Sequence, residues 1–133
     1  MTFLLDTHVW IWTQEAPEKL GRRTTRLLTD SRNGLYVSTV STLEIARLAK
    51  DGTIALSGSL DSWVSETLDA LSCGTLEISH PIAIGAYSLP GKFHKDPADR
   101  LLVATARIHD LTLVTMDERI LRYSHVKSHD ARI

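Results

Sequence analysis

The sequence predicts an α/β fold built on a mostly parallel sheet with helices on both faces. Short apolar runs alternate with helix-period segments along the chain, the pattern of strands joined by crossover helices. One helical segment, residues 97–109, is apolar nearly all round (Leu101, Leu102, Val103, Ala104, Ala106, Ile108), as a helix buried against a sheet must be. The length, 133 residues with 43% hydrophobic and 23% charged, suits one domain, 1–133, around one core.

Phe3-Leu4-Leu5 reads as a buried strand ending at Asp6, and Thr7 to Thr13 as a short helix. Pro17 opens a helix with Leu20, Leu27 and Leu28 on one face, and Asn33-Gly34 stops it. Leu35 to Ser38 is the second strand. Ser41 is placed to cap a helix that runs to Lys50, with Asp51-Gly52 as its stop. Ser59 or Asp61 opens the next helix, with Leu60, Val64, Leu68 and Leu71 on one stripe, and Gly74 ends it. Thr75 to Ile78 reads as the third strand, and Pro81 starts a short helix that closes before Pro90-Gly91. Asp96 is the N-cap and Pro97 the first residue of the apolar helix, which runs to about His109. Leu111 to Thr115 is the fourth strand, Asp117 to Tyr123 a short helix, and Val126 the start of a small last strand.

The formal net charge of −1 argues against a passive nucleic-acid coat protein, which carries a basic face. It leaves room for a nuclease whose acids are committed to a cation. The single cysteine, Cys73, excludes an internal disulfide and a multi-cysteine metal site, fits a reducing cytosol, and reads as a small core residue. No apolar run is long enough to span a bilayer, and Met1 to Leu5 has no basic flank, so neither a membrane anchor nor a signal peptide is expected and the expected location is cytoplasmic.

Four acids occupy equivalent places in the alternating pattern. Asp6 follows the first strand, Asp117 follows the Leu111–Thr115 strand by two residues, and Glu44 and Asp99 each lie in the first turn of a helix. In an open parallel sheet the strand C-termini and the following helix N-termini share one edge, where ligands bind. Taken singly, Asp6 and Asp117 also fit turn or cap positions, and Glu44 a polar arc with Arg47 and Asp51. Asp99 is different, because its neighbours one turn on are Leu102 and Val103, so it points along the buried stripe. A buried carboxylate needs a counter-charge or must become neutral, and Arg100 lies about 100° away on the helix. A hard divalent ion, Mg²⁺ or Mn²⁺, held jointly with Asp6 resolves this and is suited to phosphodiester hydrolysis.

Four stretches resemble the PIN-domain family, and in particular the VapC-type toxins of bacterial toxin–antitoxin pairs: Leu4-Leu5-Asp6-Thr7-His8 with Trp10; Val37 to Ala46 around Glu44; His94-Lys95-Asp96-Pro97-Ala98-Asp99-Arg100 on to Ala106; and Leu113-Val114-Thr115-Met116-Asp117. They stand in the family's order and span nearly the whole chain, and the third is the most specific. The resemblance implies a Rossmann-like three-layer α/β/α sandwich with a sheet of 4–5 strands. It implies a Mg²⁺- or Mn²⁺-dependent endoribonuclease acting on tRNA or rRNA, a homodimer, and a cognate antitoxin that inhibits it. Asp6, Glu44, Asp99 and Asp117 match the family's acidic positions, with Asp6 and Asp99 as principal metal ligands. Asp96 matches a frequent additional acid, although its cap role accounts for it equally well. Thr115 matches a small hydroxyl position and is placed with Thr7, Lys95 and Arg100 on the substrate side. Leu43 departs from the pattern, since relatives often carry Trp there.

Other features carry less. His125 and His129 have i,i+4 spacing without a helical segment between them, and His94 reads as a loop histidine near the acidic helix. Trp10, Trp12 and Trp63 read as core anchors, one of Trp10 and Trp12 being partly exposed for a partner contact. Arg22, Arg23 and Arg26 read as a solvated face. A Mg²⁺-dependent phosphatase wants a second Asp where His8 stands, and a non-catalytic binding module has no use for all four acids.

Overall fold

A computed structural model describes all residues, 1–133. Its sheet has five strands, β1 (Thr2–Leu5), β2 (Gly34–Ser38), β3 (Cys73–Leu76), β4 (Thr112–Thr115) and β5 (Ser128–Asp130), in the order β3-β2-β1-β4-β5. Every pairing is parallel. The order turns back at β1, so β2 and β4 leave its two sides and a crevice opens at the carboxyl end of β1.

The helices are α1 (Thr7–Glu15), α2 (Arg22–Thr29), α3 (Thr39–Lys50), α4 (Leu60–Leu71), α5 (His80–Gly85), α6 (Pro97–Ile108) and α7 (Glu118–Leu121), with one 3₁₀ turn at Pro17–Lys19. Successive strand residues face opposite layers. Phe3, Leu5, Leu35 and Val37 pack with Val9, Trp10, Ile45 and Trp63 on one face. Leu4 and Leu113 pack with Leu102, Val103, Ala106 and Ile120 on the other. β1 therefore has no polar side: Leu4 and Leu5 are completely buried. Trp10 is sealed in the first layer, its ring 5.3 Å from that of Trp63 and its indole N–H donating to Thr67 Oγ1 at 3.0 Å. Trp12 is the partly exposed one, with the Lys19 ammonium over its ring.

Element order matches the sequence reading, but several boundaries move for local reasons. The helix expected from Pro17 is split into the 3₁₀ turn and α2, because Gly21 is extended and lies against the backbone of Ile133, where a Cβ would fall 1.9 Å from the Ile133 carbonyl carbon. α2 ends at Thr29, so Asn33 and Gly34 do not stop it: Asn33 donates its side-chain amide to Leu27 O at 3.0 Å, and Gly34 already belongs to β2. The cap of α3 is Ser38, whose hydroxyl accepts from Val40 N at 3.1 Å. Ser41, expected in that role, is inside the helix and fully buried. α4 ends at Ser72, which takes the left-handed conformation at φ 49°, rather than at Gly74. Gly74 sits inside β3 because a Cβ there would fall 3.0 Å from the Tyr36 ring. β3 thus runs two residues earlier than Thr75–Ile78, β5 starts at Ser128 rather than Val126, and α7 is shortened to one turn with Asp117 as its cap.

The assignment of the α3 cap is checked by substitution. Ser38→Ala is expected to cost about 1 kcal/mol in urea unfolding, whereas Leu43→Ser, at a side chain 68% exposed, should stay within about 0.5 kcal/mol of the parent.

Candidate active site

Each acid is placed by an element end. Asp6 leaves β1 with its N–H bonded to Val114 O at 2.9 Å and caps α1, its Oδ1 accepting from Thr7 N at 2.7 Å. Its Oδ2 accepts from the Thr115 hydroxyl at 2.6 Å, and Thr115 Oγ1 in turn accepts from Asp117 N at 3.0 Å. One threonine at the end of β4 thus ties together two carboxylate residues 111 positions apart in sequence, counting from Asp6 to Asp117. Thr7 Oγ1 reaches the other way: it is bonded to Ser41 Oγ at 2.8 Å and donates to Glu44 Oε1 at 2.5 Å. α3 starts at Thr39, so Glu44 lies in its second turn rather than its first, and Thr7 and Ser41 turn it toward Asp6. Asp96 caps α6, its Oδ1 accepting from Asp99 N at 3.1 Å, and Asp99 stands one turn inside.

These elements close around a cavity of 390 Å³ lined by Asp6, Thr7, His8, Glu44, Asp96, Asp99, Met116, Asp117 and Arg119. All five expected acids and Thr7 are brought together. Thr115 lies directly behind Asp6 and is completely buried. Lys95 is exposed beside Asp96 and does not line the cavity. Arg100 is not brought there at all. Its guanidinium donates to three backbone carbonyls, His94 O at 2.9 Å, Ala86 O at 3.0 Å and Phe93 O at 2.8 Å, and clamps the 86–94 segment onto α6. Arg100, expected at a substrate phosphate, is thus turned away from the cavity, because helical phase points it toward that segment.

Two residues on which the reading placed little or no weight sit against the acids. His94 Nδ1 accepts from Asp96 N at 3.4 Å, which leaves the ring proton on Nε2. That nitrogen is buried and lies 2.9 Å from Asp99 Oδ2, but without the alignment of a hydrogen bond. Burial and the Arg119 charge hold the His94 ring below its ordinary pKa, so it is neutral at pH 7 and brings no counter-charge. Arg119 is the cation of the site. It grips Asp117 with two nitrogens, Nε to Oδ1 at 3.2 Å and Nη2 to Oδ2 at 3.0 Å, and its Nη2 lies 3.8 Å from Asp99 Oδ2. A signal for it was present in the sequence, since Asp30-Ser31-Arg32 and Asp130-Ala131-Arg132 form the same local clamp.

The cavity is short of positive charge. Burial first, and then the charges of Asp6, Asp96, Asp117 and Glu44, push Asp99 up to about 7. Burial likewise raises Asp6 and Glu44. Only Asp117 is held low, by its hydrogen bonds to Arg119. The carboxylates offer hard oxygen: one oxygen each of Asp99 and Asp117 lies with a ring nitrogen of His94 within 4.8 Å of one another, and Asp6 and Glu44 line the same cavity outside that group. Such a set suits a divalent cation that prefers oxygen, and these residues fit one.

A pH test follows from Asp99. Its pKa in the folded chain is above its unfolded value near 4, so between these the folded state binds the extra proton and stability falls as pH rises. In metal-free buffer Asp99→Asn should therefore melt close to the parent at pH 4 and about 3 °C or more above it at pH 8. A difference between the two that does not change with pH would contradict the crowding of Asp99.

The pattern of the PIN domain family matches residues 3–126. The chain is 35% identical over 124 residues, 93% of each sequence, to a protein named Ribonuclease VapC22 from Mycobacterium tuberculosis (strain ATCC 25618 / H37Rv). Among solved structures it is similar to DNA-bound VapBC from Salmonella typhimurium, with a TM-score of 0.69 at 18% identity covering 98% of both chains. It is also similar to VapBC2 from Rickettsia felis bound to a promoter DNA fragment, with a TM-score of 0.67 at 16% identity covering 97% of this chain and 98% of that one. These two share the fold, the five-stranded parallel α/β sandwich described above. On this sequence match, over nearly its whole length, the chain belongs to the PIN domain family and, within it, to the VapC type.

Proposed function

We propose that this protein is a metal-dependent endoribonuclease, the toxin of a toxin–antitoxin pair, in which Asp6, Glu44, Asp99 and Asp117 hold Mg²⁺ or Mn²⁺. The observation that carries the reading is the convergence of these acids on one cavity, where burial, and then their mutual repulsion, push Asp99 up to about 7. The name of the 35% identical relative supports ribonuclease chemistry, and the VapBC complexes of the same fold support an antitoxin partner.

Bound there, a hard divalent ion lowers the pKa of a bound water and stabilises the leaving oxygen of an in-line phosphoryl displacement. The chain's own groups then have separable tasks. Thr115 and the Thr7 N–H hold the two oxygens of Asp6 at 2.6 and 2.7 Å, so its carboxylate is fixed before any ligand arrives. Thr7 holds Glu44 in the same way. Without the ion, burial pushes Asp99 up to about 7 and raises Glu44, and a bound cation would oppose both shifts. Asp96 uses Oδ1 for its cap and lines the cavity, which leaves its second oxygen as an additional donor. Lys95, exposed beside Asp96, is the group for a substrate phosphate. The reading extends to tRNA or rRNA as substrate, a cytoplasmic location and a homodimer. The exposed side chains of Ile84 and Tyr87 supply apolar surface for protein contacts. No helix is long and apolar enough to cross a membrane.

Incubation with total cellular RNA, with and without Mn²⁺, followed by mapping of new 5′ ends, tests the activity. Metal-dependent cleavage is expected, and Asp6→Asn should reduce it by at least the 10- to 100-fold that losing a group around a metal ligand costs. Full cleavage by folded Asp6→Asn, or cleavage that persists in chelator, ends the proposal.

A further inference from the structure

The carboxylates are not simply waiting for a cation, because one already stands on them. Asp117 accepts three hydrogen bonds from a single residue: Oδ1 takes Arg119 N at 2.9 Å and Nε at 3.2 Å, and Oδ2 takes Nη2 at 3.0 Å. Both oxygens of one expected ligand are thereby engaged. The same guanidinium reaches Asp99, the acid most in need of a counter-charge.

The other two Asp-x-Arg clamps show what is special here. In Asp30–Arg32 the distances are 3.0 and 2.8 Å, and in Asp130–Arg132 both are 2.9 Å. The clamp at the cavity has the longest Nε–Oδ1 distance of the three, and in it alone the guanidinium also faces an acid of the cluster. It also has somewhere to go. Arg119 is 61% exposed, and it lines both the acidic cavity and an adjoining one of 420 Å³ that holds Lys92, Arg122 and His125 and no carboxylate. Rotating the guanidinium off Asp117 toward solvent would leave α7 undisturbed, because its cap uses only the Arg119 backbone N–H.

We propose that Arg119 is a tethered competitor for the metal position, a counter-ion that a divalent cation displaces from Asp117 and Asp99, and that it thereby sets the metal affinity of the site. A cation held on the same two carboxylates at close range and a guanidinium already seated there exclude one another by charge. The metal must therefore break a bidentate ion pair to bind, and removing the arginine removes that opposing step. The inference rests on the proposed metal-dependent reading of the site.

Mn²⁺ binding to the folded, metal-free chain, followed by calorimetry without RNA, tests it. Arg119→Gln and Arg119→Ala should bind Mn²⁺ at least twofold and about fivefold more tightly than the parent, the range expected for loss of a good exposed ion pair. Arg26→Gln removes the same charge from α2, away from the cavity, and should stay within twofold of the parent, which separates local competition from the change in net charge. Tightening below twofold, weaker binding, or equal tightening in Arg26→Gln overturns the proposal. If the parent binds Mn²⁺ and the Arg119 variants bind it equally, only this inference fails. If the parent binds none, the metal-dependent reading fails with it.

Discussion

Repulsion among carboxylates in one partly buried cavity is the constraint to which the rest of the structure answers. Five acids share a space of 390 Å³ with one arginine. Left to themselves they would separate or take up protons, and burial first, with their mutual charge added to it, raises Asp99, Asp6 and Glu44. They stay together because main-chain structure anchors each of them. Asp6 and Asp117 extend from adjacent parallel strands, and Asp96 and Asp99 belong to a helix whose Leu102, Val103 and Ala106 are sealed in the core.

Stability and function are thus set against each other at one edge of the sheet. The apolar layers on the two faces of β1 hold the edge rigid, and the edge carries groups that destabilise it. Enzymes commonly concentrate unfavourable charge where chemistry needs it and offset it elsewhere. Here the offset is graded. Hydroxyls of Thr7 and Thr115 orient the acids without neutralising them, the neutral His94 covers Asp99 without charging it, and Arg119 neutralises Asp117 through an exposed side chain.

The sequence reading and the structure part company at instructive places. Ser38 ends β2 and begins α3 with no intervening loop, so the serine expected to cap, Ser41, becomes a buried contact of Thr7. A propensity rule picks out capping residue types, but it cannot choose between two serines three apart when the strand–helix junction has no turn. Gly74 looks like a helix stop until Tyr36 on the neighbouring strand is in place to claim the space. Arg100 follows Asp99 and reads as a phosphate contact, yet its side chain is consumed by carbonyls of a loop whose path no periodicity reveals. Arg119, by contrast, was legible in principle, because Asp-x-Arg forms a local clamp at all three places where it occurs.

By itself the sequence determined what is local or periodic: the alternation of strands and helices, the inward direction of Asp99, and the station of Asp6 and Asp117 at strand ends. These follow from side-chain spacing, which the backbone geometry of helices and strands converts into faces and edges. Only the tertiary structure decided the order β3-β2-β1-β4-β5, which sets β4 beside β1 and so brings Thr115 to Asp6, and the turn of α3 that carries Glu44 across to Thr7. Such contacts join residues 37 to 109 positions apart. Their partners are selected by how whole layers pack, and no window of neighbouring residues contains that information.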